Sequence, residues 1–483
     1  MDPIVIAVLL VPFAGAVVCG LVPRGAKTLA ILTALATAAL ACVKVALTYP
    51  GANVLPFGTL PWLPGALGKS QAFGLLVDPL SSAILLLVTV LGLAVVMFSK
   101  EYMGEGNAEH PYRNGDNRYY FWVLACLGAM VGLVLSPNLL QMFIFWEMTT
   151  ICSWAMISHA HTDITQRAGM KALLLKHIGG LGFLVALCLL FVFAGSFDFS
   201  ALNRLSSGMS AAVFLLFLVA AWAEGAQIPF HTWLPDAHTE APSPVSAMLS
   251  GVMVKPAILL LARVIMSTTS LSAGLAVVVA VMAMLSIFMA IMSYFRQDDL
   301  KRLLAYSTIA HLGYMFVGMA LGMWGSAIGF RGGLLHVLCH GVAKGTLFLA
   351  AGAIAYGAGT RKISLLRGLA GKMPLEAMAF MVGVVAVTGV PPFATFWSKF
   401  MIFSGALQSP GGALLLVLLA AESVVSFAWL LHIAHKVFLG APSPAAVAAA
   451  DAPPWMSAAL VLGMVLCLVV PLVGLPLVNL VLP

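Results

Sequence analysis

The stretch that decides the fold is residues 270–294, SLSAGLAVVVAVMAMLSIFMAIMSY, which contains no charged side chain. About 20 apolar residues in an α-helix are enough to cross the hydrocarbon core of a bilayer, which is about 30 Å thick. Lipid offers the backbone no hydrogen-bond partner, and the alternating pattern of a membrane β-barrel is absent. This run is therefore predicted to form a membrane-spanning helix.

Runs of this kind recur along the whole chain, which is 62% hydrophobic and only 8% charged. An ordinary soluble domain is about 25% charged, so a water-soluble fold of this size could not cover its surface. The predicted fold class is an all-α polytopic membrane protein that forms a single membrane domain over residues 1–483. Fourteen spans are predicted, at residues 4–22, 28–48, 73–98, 118–136, 138–158, 168–194, 210–238, 245–266, 270–294, 300–322, 326–357, 375–405, 411–438 and 455–480.

The basic residues lie in short loops, which accounts for the net charge of +7 without a nucleic-acid partner. Cytoplasmic loops of membrane proteins are enriched in lysine and arginine. Counted from the N-terminus, the odd-numbered loops are far more basic than the even-numbered ones. This bias predicts that both termini lie on the non-cytoplasmic side, and the membrane is expected to be the inner (plasma) membrane. The odd loops hold Arg24, Lys27, Lys100, Arg113, Arg118, Arg167, Arg296, Lys301, Arg302, Arg361, Lys362, Arg367, Lys372 and Lys436, and the even loops hold Lys69, Arg204, Arg263 and Arg331.

An internal repeat is visible in the middle of the chain. The segment PFHTW at residues 229–233 recurs as PFATFW at residues 392–397, and KHIGG at 176–180 lies at nearly the same offset from HGVAK at 340–344. Each Pro-Phe element interrupts an apolar span, and an interior proline breaks the helical hydrogen-bond ladder. Paired broken helices in two halves indicate a transporter's ion path. We assign residues 118–266 to a first repeat and residues 270–438 to a second.

Fifteen ionisable residues remain within the predicted spans after the loops are set aside. A charge at the bilayer centre costs at least about 2.5–3.5 kcal/mol, and such residues usually mark ion or proton pathways. Residues near the helix ends can instead extend to the headgroups, which is the interpretation favoured for Lys44, Lys171 and His435. The set comprises Lys44, Glu147, Lys171, Lys176, His177, Glu224, Lys255, His311, His336, His340, Lys344, Lys399, Glu422, His432 and His435.

His336, His340 and Lys344 repeat every four residues, which places them on one face of a single helix. A row of titratable groups along one face is what a proton relay requires, and histidine titrates near physiological pH. Two other interpretations stay open, namely structural histidines and a metal site. A row on one helix alone supplies poor tetrahedral metal geometry, so the relay is favoured.

The segments QIPFHTWLPDAH (227–238) and APSPVSA (241–247) resemble the hallmark of the antiporter-like subunits of respiratory complex I. The same hallmark occurs in Mrp-type cation/proton antiporters and in membrane-bound energy-converting hydrogenases. Because the sequence ends at Pro483, directly after its last predicted span, the chain is expected to resemble a medial complex I subunit, an Mrp D-type subunit or the corresponding hydrogenase subunit. The resemblance covers about residues 73–405. It implies two inverted five-helix repeats, each with a broken helix, and an axis of charged residues through the middle of the membrane. By this match Glu147, Lys344 and Lys399 correspond to the family's key glutamate, its central lysine and the lysine of the second broken helix.

One position departs from the family pattern. The first broken helix usually carries a lysine where this chain has Glu224. Two interpretations compete: Lys255 on the next span serves as the partner of Glu224, or Glu147 and Glu224 form a carboxylate pair that shares a proton or binds a cation. A loss of conduction in this half is a third. Together with Lys176, the predicted ion-translocation residues are Glu147, Lys176, Glu224, Lys255, His336, His340, Lys344 and Lys399.

The sequence shows no Gly-rich phosphate loop, no flavin or nicotinamide fingerprint and no cluster-type cysteine spacing. We therefore expect no cofactor in this chain, whose partners are other membrane subunits, with any Fe–S clusters or NiFe centre in separate redox subunits. The expected function is translocation of H⁺ or Na⁺, either as the non-redox pumping subunit of an oxidoreductase or within an Mrp-type antiporter. The alternative is the membrane subunit of a two-component inorganic-carbon uptake system with a zinc-bearing partner.

Overall fold

The computed structural model describes residues 2–22, 24–59, 71–112, 115–269 and 271–481. Lys69 and Arg113, which enter the loop count, lie outside these ranges. The helices are α1 Pro3–Leu21, α2 Ala26–Thr48, α3 Pro79–Tyr102, α4 Asp116–Val134, α5 Leu139–Ile157, α6 Asp163–Ala194, α7 Ser207–Glu224, α8 Trp233–Glu240, α9 Ser243–Met248, α10 Pro256–Met266, α11 Ala273–Tyr294, α12 Leu300–Met323, α13 Ala327–Ala358, α14 Pro374–Thr388, α15 Ala394–Leu407, α16 Gly412–Phe438, α17 Pro444–Ala448 and α18 Pro454–Asn479.

Thirteen helical segments of the described ranges are long and apolar enough to cross a membrane, with α9 and α10 counted as one segment. The shorter apolar helix α14 and the following α15 occupy the remaining predicted span at residues 375–405. The predicted class, an all-α polytopic membrane protein, is confirmed. Both predicted breaks are also present, because α7 is separated from α8 and α14 from α15 at the two Pro-Phe elements. The inverted symmetry of the two repeats stays a prediction.

The third predicted span, at residues 73–98, was placed too early. Residues 53–59 and 71–77 form two antiparallel strands, β1 and β2, and α3 begins only at Pro79. The Asp78 side chain accepts a hydrogen bond from Ser81 N at 2.8 Å and caps the helix, while Pro79 occupies the first turn. Proline is tolerated there because its missing N–H would be unsatisfied in any case. The Asp-Pro pair was the sequence signal for this boundary.

The odd-numbered loops gather at one end of the helix bundle. Lys27, in the first turn of α2 after the first loop, contacts Asp116, the first residue of α4 after the third loop, at 3.3 Å. Arg361 in the eleventh loop contacts Glu109 in the third at 3.0 Å and Asp299 in the ninth at 2.5 Å. The basic loops therefore share one side, as the charge count requires of loops on one face of a membrane.

Helix α13 forms the centre of the bundle and is buried along its membrane-spanning length. It packs against the segment that joins α9 to α10 at Gly341 and Gly251. A β-carbon at Gly341 would collide with the Gly251 backbone oxygen, so only glycine permits this approach. Small residues bring membrane helices close together because they remove side-chain bulk from the interface. This contact places the face of α13 that carries His340 next to the segment that leads to Lys255.

An ion pair ties the start of α3 to α10 at the opposite end of the bundle. The Arg263 guanidinium donates to both carboxylate oxygens of Asp78, with Nη2 at 2.9 Å from Oδ1. Burial alone would raise the pKa of Asp78, but the charge and hydrogen bonds of Arg263 hold the pKa below its usual value. The pair therefore contributes stability at neutral pH, which is lost as the pH falls through this lowered pKa.

We expect Asp78→Asn to lower the thermal unfolding midpoint of the purified protein, because it leaves the Arg263 charge buried without its partner. Loss of one member of a buried pair costs about 3–5 kcal/mol. The matched control is Asp451→Asn, which removes an exposed carboxylate. Equal midpoints for the two variants, measured in the same detergent, would contradict this role for the pair.

Candidate ion-translocation site

The predicted row on α13 is present and fully enclosed. His336, His340 and Lys344 are each 0% exposed, and the two imidazole rings lie 5.9 Å apart between centroids. The side chains share one face because successive members are four residues apart on an α-helix. Their partners come from neighbouring helices.

Three imidazole rings form the centre of this cluster. His311 of α12 lies 5.1 Å from His340 between ring centroids, and its Nδ1 is 3.1 Å from His336 Nε2. The other ring nitrogen of His336 is 2.8 Å from Ser398 Oγ on α15. Nε2 of both His311 and His340 is buried without a hydrogen-bond partner among the described residues. Buried polar atoms of this kind usually bind ordered water.

Lys255 joins the cluster from the segment between α9 and α10. Its Nζ lies 2.8 Å from His340 Nδ1, and its side chain is buried. The helix is irregular here, with a π-helical turn at Leu249–Met253 followed by Pro256 at the start of α10. Such turns are frequent at functional sites, because they redirect side chains and free backbone groups. The break at Lys255 was not predicted from the sequence, although Pro256 was its signal.

Lys344 and Lys399 bind oxygen atoms of the backbone and of hydroxyl groups. Lys344 Nζ donates to the Leu304 carbonyl at 3.1 Å. Lys399 Nζ donates to the carbonyl of Thr388 at 3.1 Å and to Ser423 Oγ at 2.5 Å. Thr388 is the last residue of α14, so the ammonium group lies at the negative end of a helix dipole. The break between α14 and α15 therefore creates the site that Lys399 occupies.

In the first half, Glu224 pairs with Lys176, and both proposed pairings of Glu224 are wrong. Lys176 Nζ lies 3.0 Å from Glu224 Oε1, and both side chains are at most 1% exposed. Lys255 instead contacts His340, and Glu147 contacts His177. Glu224 ends α7, where the helix dipole disfavours a carboxylate and favours a cation. The buried lysine on α6 supplies the cation that the family pattern usually places on the broken helix itself.

Glu147 lies at the side of the bundle rather than in its interior. Its Oε2 is 3.0 Å from His177 Nδ1, and the two side chains are 22% and 54% exposed, respectively. The carboxylate packs over Gly180, where a β-carbon would collide with it. Lys176 and His177 are adjacent on α6, so consecutive residues contact the two predicted ion-translocation carboxylates, Glu224 and Glu147. His177 was recognised in the sequence as an ionisable residue within a span, but it was not predicted to be the partner of Glu147.

The structure thus brings Lys255, His336, His340, Lys344 and Lys399 into one buried cluster, and it places the Lys176–Glu224 pair in the first half. Sequence reasoning missed several contributors to the cluster. They are His311, Tyr314, Ser398, Ser423 and Glu422, of which His311 and Glu422 were recognisable as ionisable residues within spans. The hydroxyl-bearing residues gave no comparable signal, since serine, threonine and tyrosine occur throughout membrane helices.

The chemistry available in this cluster is the binding and exchange of protons and cations. No group of three or more His, Cys, Asp or Glu residues in the described ranges could hold a metal ion. The contact between Lys255 Nζ and His340 Nδ1 can persist in two protonation states. An ammonium group donates to the neutral imidazole, and a neutral amine can accept from a ring N–H.

Comparison with known proteins gives the chain a family. The family described as "NADH:quinone oxidoreductase/Mrp antiporter, TM" matches residues 136–426, and "NADH-Ubiquinone oxidoreductase (complex I), chain 5 N-terminus" matches residues 62–114. The A-type Na(+)/H(+) antiporter subunit of Alkalihalophilus pseudofirmus is 33% identical over 80% of this chain and 50% of its own length. The chloroplastic NAD(P)H-quinone oxidoreductase subunit 5 of Nymphaea alba is 32% identical over 71% of this chain and 47% of its own. The chain thus spans about half the length of these relatives, neither of which is named as a D-type protein.

Two solved structures share the fold. The Mrp complex from Dietzia sp. DQ12-45-1b contains a chain that superimposes with a TM-score of 0.85 at 27% identity, covering 99% of this chain and 51% of that one. A chain of the archaeal membrane-bound sulfane sulfur reductase superimposes with a TM-score of 0.86 at 23% identity, covering 99% and 96% of the two chains. The second likeness concerns the fold alone.

The Lys176–Glu224 pair predicts the outcome of a charge exchange. Glu224→Lys puts two cations together in the buried site, and we expect it to lower the unfolding midpoint strongly, because uncompensated buried charge costs about 3–5 kcal/mol. Adding Lys176→Glu restores the pair in reverse order, and we expect most of the loss to be recovered. Lys436→Glu, at an exposed lysine, is the control for a bare charge change. A double variant no more stable than Glu224→Lys would refute the pairing.

Proposed function

Because the chain belongs to the NADH:quinone oxidoreductase/Mrp antiporter membrane family, we propose that it translocates protons or sodium ions as one subunit of a multisubunit complex. The observation that carries the proposal is the buried cluster of three lysines and three histidines at the centre of the bundle. Ionisable residues inside a membrane are rare, and they usually face a pathway for ions or protons. Here Lys255 and the three imidazole rings are in hydrogen-bond or ring contact. Lys344 lies one helical turn from His340 on α13, and Lys399 lies 4.8 Å from the Tyr314 ring, which contacts His311 and His336.

The partners of the three lysines support this proposal. In the described part of the chain, Lys255, Lys344 and Lys399 form no ion pair with a carboxylate. Their nitrogen atoms contact an imidazole, carbonyl groups and a hydroxyl group instead. A purely structural charge would be expected to have an opposite charge beside it, because the interior repays burial poorly otherwise. Neutral partners leave each lysine able to gain or lose a proton without breaking an ion pair.

The first-half pair supplies a way to couple ion binding to this cluster. A cation that binds at Glu224 competes with Lys176 for the carboxylate. Once displaced, the Lys176 charge is unpaired in a low-dielectric interior, where like charges repel over several ångströms. Binding in the first half would thereby favour the departure of positive charge from the second half. The two halves are then successive sites of one pathway.

We propose that the protein lies in the inner (plasma) membrane. The basic odd-numbered loops support an orientation with both termini on the non-cytoplasmic side. Two assemblies fit the family: an Mrp-type cation/proton antiporter and a redox-driven complex of the quinone oxidoreductase or hydrogenase kind. In the redox-driven case the electron-transfer cofactors belong to other subunits. Mass spectrometry of the complex extracted in mild detergent distinguishes the two, because only the second co-purifies with redox proteins.

We expect Lys344→Ala to reduce ion flux at least about tenfold, equivalent to about 1.4 kcal/mol in the barrier, because it interrupts the centre of the cluster. The measurement is proton and sodium flux in vesicles that contain the purified complex. Lys171→Ala is the matched control, since Lys171 forms a partly exposed pair with Asp236 at 2.8 Å outside the cluster. Wild-type flux from a fully assembled Lys344→Ala complex would reject the proposed pathway.

A further inference from the structure

Glu422 is a buried acid beside the cluster to which the proposed translocation pathway assigns no role. It lies on α16 and is 3% exposed. Its Oε2 accepts a hydrogen bond from the Tyr314 hydroxyl at 2.5 Å, and its Oε1 accepts one from Ser426 Oγ at 2.5 Å. Between α11 and α16, the described residues include one other buried acid, Glu376, which accepts a hydrogen bond from Ala452 N at 2.7 Å. Both hydrogen bonds to Glu422 come from hydroxyl groups, and no described residue forms an ion pair with its carboxylate.

Tyr314 and Ser423 connect Glu422 to the lysine–histidine cluster. The Tyr314 ring lies 5.8 Å from His311 and 5.6 Å from His336 between centroids, and Lys399 Nζ is 4.8 Å from its centroid. Lys399 Nζ also donates to Ser423, the residue next to Glu422. Glu422 is therefore the carboxylate that adjoins the cluster in the described part of the second half.

The opposite side of Glu422 faces a groove between α11 and α16. The groove has a volume of about 870 Å³, and its walls run from Val277 to Phe295 and from Pro410 to Val425. Glu422 is the one ionisable side chain among the described residues that line it. The groove opens sideways, since Phe288 and Leu414 on its walls are 62% and 67% exposed. Glu422 therefore lies between the lysine–histidine cluster on one side and an open groove on the other.

The groove also reaches one end of the bundle. Pro410 and Gly411, which line it, precede the first residue of α16, and Glu422 lies ten residues into that helix. At 1.5 Å per residue this depth is about 15 Å, half of a hydrocarbon core of about 30 Å. Water that enters beside Gly411 would need to cross only half of the membrane to reach the carboxylate.

We propose that Glu422 is the proton-binding group through which the cluster at Lys399 exchanges protons with the α11–α16 groove. The inference rests on the proposed translocation function. In the forward step an N–H bond of the Lys399 ammonium breaks and an O–H bond forms on Glu422, which leaves a neutral amine and a neutral acid. The acid then releases the proton to water in the groove. Tyr314 is a positioning residue, because its hydroxyl orients the carboxylate.

The first test measures chemical access and does not depend on transport. Dicyclohexylcarbodiimide is an apolar reagent that takes up the proton of a buried carboxylic acid and then forms a covalent adduct with the carboxylate. The intact complex in lipid nanodiscs is treated with the reagent and mapped by mass spectrometry. We expect an adduct at Glu422 and none at Glu376, which lies outside the groove. Absence of an adduct at Glu422, or equal modification of the two acids, would overturn the proposal.

The second test separates the role of Glu422 from the proposed function itself. In vesicles that contain the purified complex, we expect Glu422→Gln to lower proton flux at least about tenfold. Glu422→Asp should restore part of the flux, and the control Glu376→Gln should retain it. Wild-type flux in Glu422→Gln beside a loss in Lys344→Ala would overturn the Glu422 assignment and keep the function. Wild-type flux in both would reject the function. If Glu422→Gln does not assemble, the labelling of the wild-type complex decides.

Discussion

A lysine at mid-membrane depth must find its partners within the protein, because the surrounding lipid supplies none. Lys176 finds a carboxylate, Lys255 an imidazole, Lys344 a backbone carbonyl, and Lys399 a carbonyl and a hydroxyl group. Each partner lies on a different helix from the lysine that it contacts. These contacts join α6 to α7, α10 to α13, α13 to α12, and α15 to α14 and α16.

The two broken helices meet this need in the same physical way. The C-terminal end of a helix carries unsatisfied carbonyl groups and partial negative charge. At the end of α14 the Lys399 ammonium binds the carbonyl of Thr388. At the end of α7 the residue is Glu224, which adds negative charge, and Lys176 from α6 provides the compensating cation. Both breaks thus hold a lysine ammonium group inside the bundle, although the two lysines come from different helices.

The sequence predicted the helices and the central row well because these depend on local patterns. Apolar run length indicated the spans, the Pro-Phe elements indicated the breaks, and a spacing of four placed His336, His340 and Lys344 on one face. The partner of Glu224 was missed because the spacing of residues 176 and 224 carries no information on how α6 packs against α7. Residues 73–77 were taken into a span because an apolar strand and an apolar helix end look alike over so few residues. The contact between Tyr314 and Glu422 could not be predicted, because the sequence does not show that α12 lies beside α16.

The measurement that tests the central claim most directly is charge movement by the wild-type complex itself. Vesicles containing the purified complex are adsorbed on a solid-supported membrane, and the proton or sodium concentration is changed rapidly on one side. If the protein passes cations through its lysine–histidine cluster, we expect a transient current that follows the ion gradient and reverses with it. An intact, correctly assembled complex that moves no charge with either ion would contradict the account.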